Sequence, residues 1–206
     1  MYTTMDMKKR SYEMRARKDA TAATYNAIVQ AALDAVAAKR SLSVTLGSIA
    51  DRAGVTVKTV LRHFGSRDAL IDAAWSRVMQ DVVLERSAPP GDPERALAVL
   101  IEHYEHRADV MLGLLAEEDE DPRARQICDS GRLGHRGWVA DVFGPGLPVE
   151  AVERSRLIDA LVVATDMYGW KLLRRDRGLS VDEVRDRMLL MTSAILAVEA
   201  KSPEPQ

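Results

Sequence analysis

Only one of the 206 residues is a cysteine, Cys128, so no intrachain disulfide can form and the fold requires no oxidising compartment. A lone cysteine reads first as a small buried apolar residue and second as a redox-sensing or ligand-contacting thiol. No stretch approaches the roughly 20 uninterrupted apolar residues that span a bilayer. The N-terminus lacks the apolar core of a signal peptide, and the expectation is a cytoplasmic protein with no membrane partner. Enzymatic motifs are missing too: there is no Gly-rich phosphate loop, nucleophile elbow or paired-cysteine motif. The nearest approach is Glu102-His103-Tyr104-Glu105-His106, where His103 and His106 lie three apart on a helix and could share a metal with a carboxylate. Set in a stripe of Glu, Arg and Asp, these histidines read as solvated, and His135 reads the same way. No catalytic residue, metal or cofactor is assigned, and the expectation is not an enzyme.

The sequence also lacks a strong overall charge, its formal net being −2, but the two halves differ. Residues 1–86 carry 14 Lys/Arg against 9 Asp/Glu, and residues 87–206 carry 15 against 22. A basic half is drawn to phosphates and an acidic half is pushed away from them. Within the first 18 residues Lys8, Lys9, Arg10, Arg15, Arg17 and Lys18 oppose only Asp6 and Glu13. Residues 1–20 are accordingly read as a basic, disordered arm, either a solvated tail or a source of phosphate or minor-groove contacts.

Against these absences, Thr45 to Ile71 is dense with signals. Leu46, Ile49, Ala50 and Ala53 recur at helical spacing and give a first helix one buried stripe. Gly54 ends it, because the residue just past a helix often needs positive φ. Val55 plugs the turn, and Thr56 is placed to cap a second helix of about Val57 to Phe64 by accepting from the backbone N–H of Lys58 or Thr59. Val60 and Phe64 anchor one side of that helix. Thr56, Val57, Lys58, Thr59, Arg62 and His63 are left facing outward. Small, hydroxylated and basic side chains at the head of a recognition helix suit base edges in the major groove, where lysine donates to guanine and threonine serves either role. Ser66 is placed to cap the next helix, with Arg67 in its first turn and Asp68 at the positive end of its dipole. Long amphipathic helices flank the motif, one with Tyr25, Ile28, Val29, Ala32, Leu33 and Val36 on one face, the other with Leu70, Ile71, Ala74, Trp75, Val78, Met79 and Val82.

The order of long helix, IADRAGV, TVKTVLRHF, GSRDAL and long helix resembles the DNA-binding domain of the TetR family of transcriptional repressors over roughly Thr21 to Val83. The resemblance implies an all-α homodimer that binds double-stranded DNA at a palindromic, inverted-repeat operator and is released by a small molecule held in each C-terminal domain. By the same resemblance Thr59, His63 and Arg67 match positions that touch the DNA backbone. Leu61 departs from the pattern, since an aromatic residue with a phosphate-contacting hydroxyl usually stands there and leucine cannot make that contact.

Ser87 to Pro93 (SAPPGDP) breaks the chain and marks the expected domain boundary. This gives an arm at 1–20, a helix-turn-helix domain at 21–86, a helical regulatory and dimerisation domain at 93–200 and a tail at 201–206. Asp92 and Pro93 start a helix that the acidic run Glu117 to Asp121 should end. Segments Arg123–Gly131 and Gly134–Phe143 follow, then a turn at Gly144 to Pro148. One helix within Val149–Arg177, apolar on more than one face, and a last one behind the capping box Ser180-Val181-Asp182-Glu183 are the expected homodimer seam, with Leu161 and Ile195 as test positions. For the unknown effector the candidate residues are Tyr104, Met111, Trp138, Tyr168 and Trp170, aromatic or soft side chains of the kind that line small-molecule pockets. Asp166 joins them as a carboxylate inside an apolar helical stretch that needs a partner or a polar ligand. The alternatives are a constitutive DNA-binding architectural protein without an effector, and a metal-dependent helical enzyme.

Overall fold

The computed structural model describes the backbone of residues 4–197 and the side chains of residues 14–197. The side chains of Lys8, Lys9 and Arg10 and the expected tail at 201–206 lie outside the described residues. Among the described residues every regular element is helical: α1 Thr4–Lys39, α2 Leu46–Ala53, α3 Val57–Phe64, α4 Arg67–Glu85, α5 Pro93–Glu117, α6 Pro122–Val142, α7 Ala151–Ala164, α8 Met167–Lys171 and α9 Val181–Ala197. A 3₁₀ turn, Gly144–Gly146, follows α6, and a π turn, Leu172–Asp176, follows α8. No described helix is long and apolar enough to cross a membrane.

The chain divides into two compact units, Met1–Val78 and Met79–Gln206. The division falls inside α4 rather than at the Ser87–Pro93 break. The end of α4 carries Glu85 and Arg86, whose side chains bond to α5 and α6, and those bonds bind the last turns of α4 to the second unit.

In the first unit, residues 4–20 are not the irregular arm expected from their charge but the first half of α1. Thr4 to Lys39 contains neither glycine nor proline and is rich in Ala, Met, Lys and Arg, the residues that lose least on entering a helix. α1 buries Ile28, Val29, Ala32 and Val36 with Ile49 and Ala50 of α2, Val60 of α3, and Leu70, Ile71 and Ala74 of α4. Full burial of one such side chain contributes about 1.5–3 kcal/mol, so a core this small tolerates few polar replacements.

In the second unit α5 packs on α6, α8 and α9, α6 on α7, and α7 on α9. One apolar cluster joins Leu97, Leu100, Ile101, Tyr104 and Ala108 of α5 to Met167, Trp170, Val184 and Met188. Another joins Ala96, Val139, Val142 and Phe143 to Leu157, Ile158 and Leu161 of α7. Three sequence readings change here. α6 runs unbroken through Gly131 and Gly134, because its buried face of Ala124, Ile127, Cys128, His135 and Val139 outweighs the roughly 1 kcal/mol cost of each helical glycine. The segment expected as one helix to Arg177 is instead cut at Thr165-Asp166. Leu161, fully buried, and Ile195, packed on the same cluster, belong to the protomer's own core.

Candidate nucleic-acid interface and effector site

The helix-turn-helix is assembled by local hydrogen bonds. Thr45 Oγ1 accepts from the Ser48 N–H at 3.1 Å and starts α2. Gly54 ends it at φ +67°, a left-handed conformation that favours glycine, while the Val55 N–H reaches back to the Ala50 carbonyl at 3.0 Å. Thr56 Oγ1 then accepts from the Thr59 N–H at 3.2 Å, which caps α3 as the spacing predicts. Ser66 Oγ does the same for Ala69 at 3.1 Å and opens α4.

The capped helix holds Thr56, Val57, Lys58 and Arg62 exposed and Thr59 half-buried, with the Thr59 hydroxyl 3.0 Å from that of Thr56. Leu61 is also exposed, at 40%, so α3 offers an apolar contact where a hydroxyl was expected. His63 is half-buried, its ring 6.4 Å from that of Tyr25, which itself stacks on Phe64 at 4.8 Å. A shallow groove beside these rings is lined by Arg17, Lys18, Thr21, Asn26 and His63, so two cations of the supposed arm come to the side of α3 on a helical support.

Arg67 has a different occupation. Its Nε donates to the Val44 carbonyl at 2.8 Å, a terminal nitrogen donates to the Leu42 carbonyl, and the other terminal nitrogen meets the Asp68 carboxylate at 3.3 Å. The guanidinium therefore ties the loop between α1 and α2 to the start of α4, and each of its three nitrogens already has a partner inside the unit.

The second unit contains a buried polar junction that only the fold brings together. An Arg86 terminal nitrogen donates to His135 Nδ1 at 2.7 Å, and His135 Nε2 lies 3.0 Å from Thr165 Oγ1. The Thr165 hydroxyl donates to the Leu161 carbonyl at 2.7 Å, so it accepts from His135, and the imidazole is the neutral Nε2–H tautomer. Burial and the nearby Arg86 charge push its pKa down to about 3. The Tyr104 hydroxyl donates to the Thr165 carbonyl at 2.9 Å, and burial raises its pKa. Trp138 stacks on His135 at 5.8 Å, faces the Arg86 guanidinium at 4.6 Å and donates its indole N–H to the Arg86 carbonyl at 2.8 Å.

His103 is buried, not solvated: Nδ1 bonds to Glu85 Oε2 at 2.8 Å. Burial pushes its pKa down to about 4, so it stays neutral and donates. The Arg107 guanidinium grips the same carboxylate, with Nε 2.8 Å from Oε2, and holds its pKa down to about 2. His106 is exposed and takes no part in this pairing, and among the described residues no three potential ligands gather around a metal position. Cys128 is buried, and burial pushes its thiol up to about 11, which argues against a reactive thiolate.

The effector candidates scatter accordingly. Tyr104 and Trp170 are buried neighbours with ring centroids 5.8 Å apart, and Trp138 and Met111 pack at the edge of their cluster. Tyr168 is 55% exposed. Asp166 serves the backbone: at the cut between α7 and α8 its carboxylate accepts from the Tyr168 N–H at 2.8 Å and caps α8. Sequence reasoning missed Arg86 and Thr165 altogether. An arginine beside a proline-rich break reads as surface, and no local signal marks the histidine 49 residues away that receives it.

A capped recognition helix on a small helical core, followed by an all-helical second unit, defines a DNA-binding transcriptional regulator of the helix-turn-helix class. Residues 28–74 match the family model described as bacterial regulatory proteins, tetR family. A solved transcriptional regulator from Rhodococcus sp. Rha1 is similar in fold, with a TM-score of 0.62 at 19% identity over 84% of this chain and 96% of that one. No curated protein matches the chain.

Proposed function

We propose that the protein is a repressor that binds an inverted-repeat operator as a homodimer and is released by a small molecule bound in its second unit. The observation that carries the reading is the head of α3: a Thr56-capped helix with Val57 and Lys58 exposed, each able to reach a base edge in the major groove. Two further observations support the finer parts. On α7 and α9 the large apolar side chains Val163 and Leu190 are 73% and 67% exposed, with Met191 beside Leu190 at 38%. Apolar side chains left open on the last two long helices suit a self-complementary seam between two copies. The buried junction of Arg86, His135, Thr165 and Tyr104 supports an effector site, because polar groups held in a core answer strongly to a new partner.

The test is selection of binding sites from random DNA, with the mass in solution measured by light scattering. The expected result is an inverted repeat whose half-site centres lie one or more helical turns apart, bound by a species of twice 22.8 kDa. Leu190→Asp with Val163→Asp should give a monomer that loses the tight operator complex, since a buried unpaired carboxylate opposes the seam. A wild-type monomer at micromolar concentration, or selection without any repeat, refutes the reading.

A further inference from the structure

Arg86 is only 9% exposed, yet no carboxylate among the described residues pairs with it. Arg107, Arg132, Arg136 and Arg174 of the same unit all grip an acid, Glu85, Glu118, Asp159 and Glu105 respectively. The Arg86 guanidinium has a neutral histidine nitrogen, the face of Trp138 and nothing on its buried Nε–H. Its sequence neighbour Glu85 is taken by His103 and Arg107. Burying a cation without a counter-charge is costly, and burial accordingly pulls this guanidinium's pKa below its ordinary value.

A second orphan lies nearby. The indole N–H of Trp170 is fully buried and has no acceptor. Trp170 is the ring neighbour of Tyr104, whose hydroxyl meets the carbonyl of Thr165, the residue that also receives His135. Buried N–H groups without acceptors are rare in folded proteins, and among the described residues Arg86 and Trp170 hold two of them. The surroundings are otherwise apolar, with Leu100, Met167 and the ring of Trp138.

We propose that Arg86 anchors an organic monocarboxylate, whose anionic head meets the unpartnered Nε–H of the guanidinium and whose apolar body lies against Trp138 and the Tyr104–Trp170 pair. A single guanidinium matches one negative charge, and its Nε–H, beside the terminal nitrogen that bonds to His135, is a charged donor for a carboxylate oxygen. The buried Trp170 ring, beside Tyr104, forms part of the wall that the apolar body meets. The proposal names the effector class for the repressor reading above and rests on it.

Phenylacetate and octanoate, with phenylacetamide and octanamide as neutral counterparts, are titrated into the full-length protein while its melting temperature is followed. The expected result is a saturable rise of about 3–6 °C at ten times the dissociation constant for a carboxylate, and none for the amides. Arg86→Met should lose the rise while melting, ligand-free, at the same or a higher temperature. Trp170→Phe keeps a ring in the core and should diminish the rise, which leaves a test should Arg86→Met fail to fold. No shift with either carboxylate, equal shifts with the amides, or an undiminished shift in both variants overturns the anchor. Operator binding is measured in parallel by fluorescence anisotropy. Carboxylate binding that leaves the operator complex intact keeps the anchor and defeats release by an effector, whereas intact specific DNA binding with no carboxylate effect does the reverse.

Discussion

The two units handle their polar groups in opposite ways. In the first, Thr45, Thr56 and Ser66 spend their hydroxyls on helix starts three residues away, and Lys58 and Arg62 stand free in solvent. In the second, Arg86, His103, His135 and Thr165 are buried and find partners 18 to 49 residues distant. A surface that must meet DNA keeps its charges hydrated until phosphates replace the water. Under the proposed effector response, the second core holds its polar groups where a low dielectric magnifies each new contact. The asymmetry suggests where substitutions act: near the first unit's surface on binding, near the second unit's junction on stability and response.

The largest expected effect lies in the second core. Trp170→Ala should lower the unfolding free energy by about 3–5 kcal/mol, as large-to-small changes at fully buried aromatics do. Tyr168→Ala, two residues earlier and more than half exposed, should change it by less than about 0.5 kcal/mol. Urea unfolding of both variants checks this pair, and equal losses would erase the distinction between core and surface on α8.

Acidification should reach the second unit next. The folded pKa values of His103 and His135 lie near 4 and 3, below the ordinary value of about 6.5 that the unfolded chain keeps. The unfolded state therefore binds more protons, and stability falls as the pH drops below about 6.5 toward those folded values. Each histidine should remove on the order of 2 kcal/mol by pH 5. Glu85, held near pKa 2, adds its own loss below about pH 4.5. His135→Asn should flatten the melting temperature between pH 7 and pH 5. A profile as steep as that of the wild type would mean that His135 is not held neutral.

On DNA, Lys58→Ala should weaken specific binding by about 1–3 kcal/mol and relax preference at one base pair, as read by anisotropy on mutated operators. Arg17→Ala should weaken all sequences alike and lower the salt slope by about one unit. Arg67→Ala should do neither first. With its donors on the Leu42 and Val44 carbonyls, it should destabilise the first unit by about 1.5–3 kcal/mol, the range for hydrogen bonds to a charged group. A salt slope lowered without loss of stability would return Arg67 to the phosphate role that the resemblance implies.

The same asymmetry decides what was legible from sequence. Gly54, Thr56, Ser66 and the box at Ser180 to Glu183 act within four residues, and rules of that range placed them correctly. The cut at Thr165 has no such mark, because the Tyr104 hydroxyl that holds its carbonyl arrives from 61 residues away. His103 reads as surface until α4 brings Glu85 to it, and Asp166 reads as a stranded carboxylate until the helix around it is seen to end. Charge alone misjudged residues 4–20, where the absence of glycine and proline carried more weight.

The smallest expected effect compares one cap from each unit. Thr56→Ala and Asp166→Ala each remove a side-chain acceptor from the first turn of a short helix, and each should cost about 1 kcal/mol of stability, within the roughly 0.5–2 kcal/mol range for lost N-caps. Their functional consequences should separate. α3 carries the proposed base-reading residues Val57 and Lys58, so fraying its start should weaken operator binding as well as stability. α8 carries Trp170 and the exposed Tyr168, so fraying it should leave ligand-free operator affinity unchanged while altering the melting response to phenylacetate or octanoate. Chemical denaturation, operator titration and the melting response to the carboxylates, each measured on both variants, check these outcomes. If Asp166→Ala left stability intact but abolished the carboxylate response, Asp166 would be a ligand contact after all, and its bond to the Tyr168 N–H would be incidental.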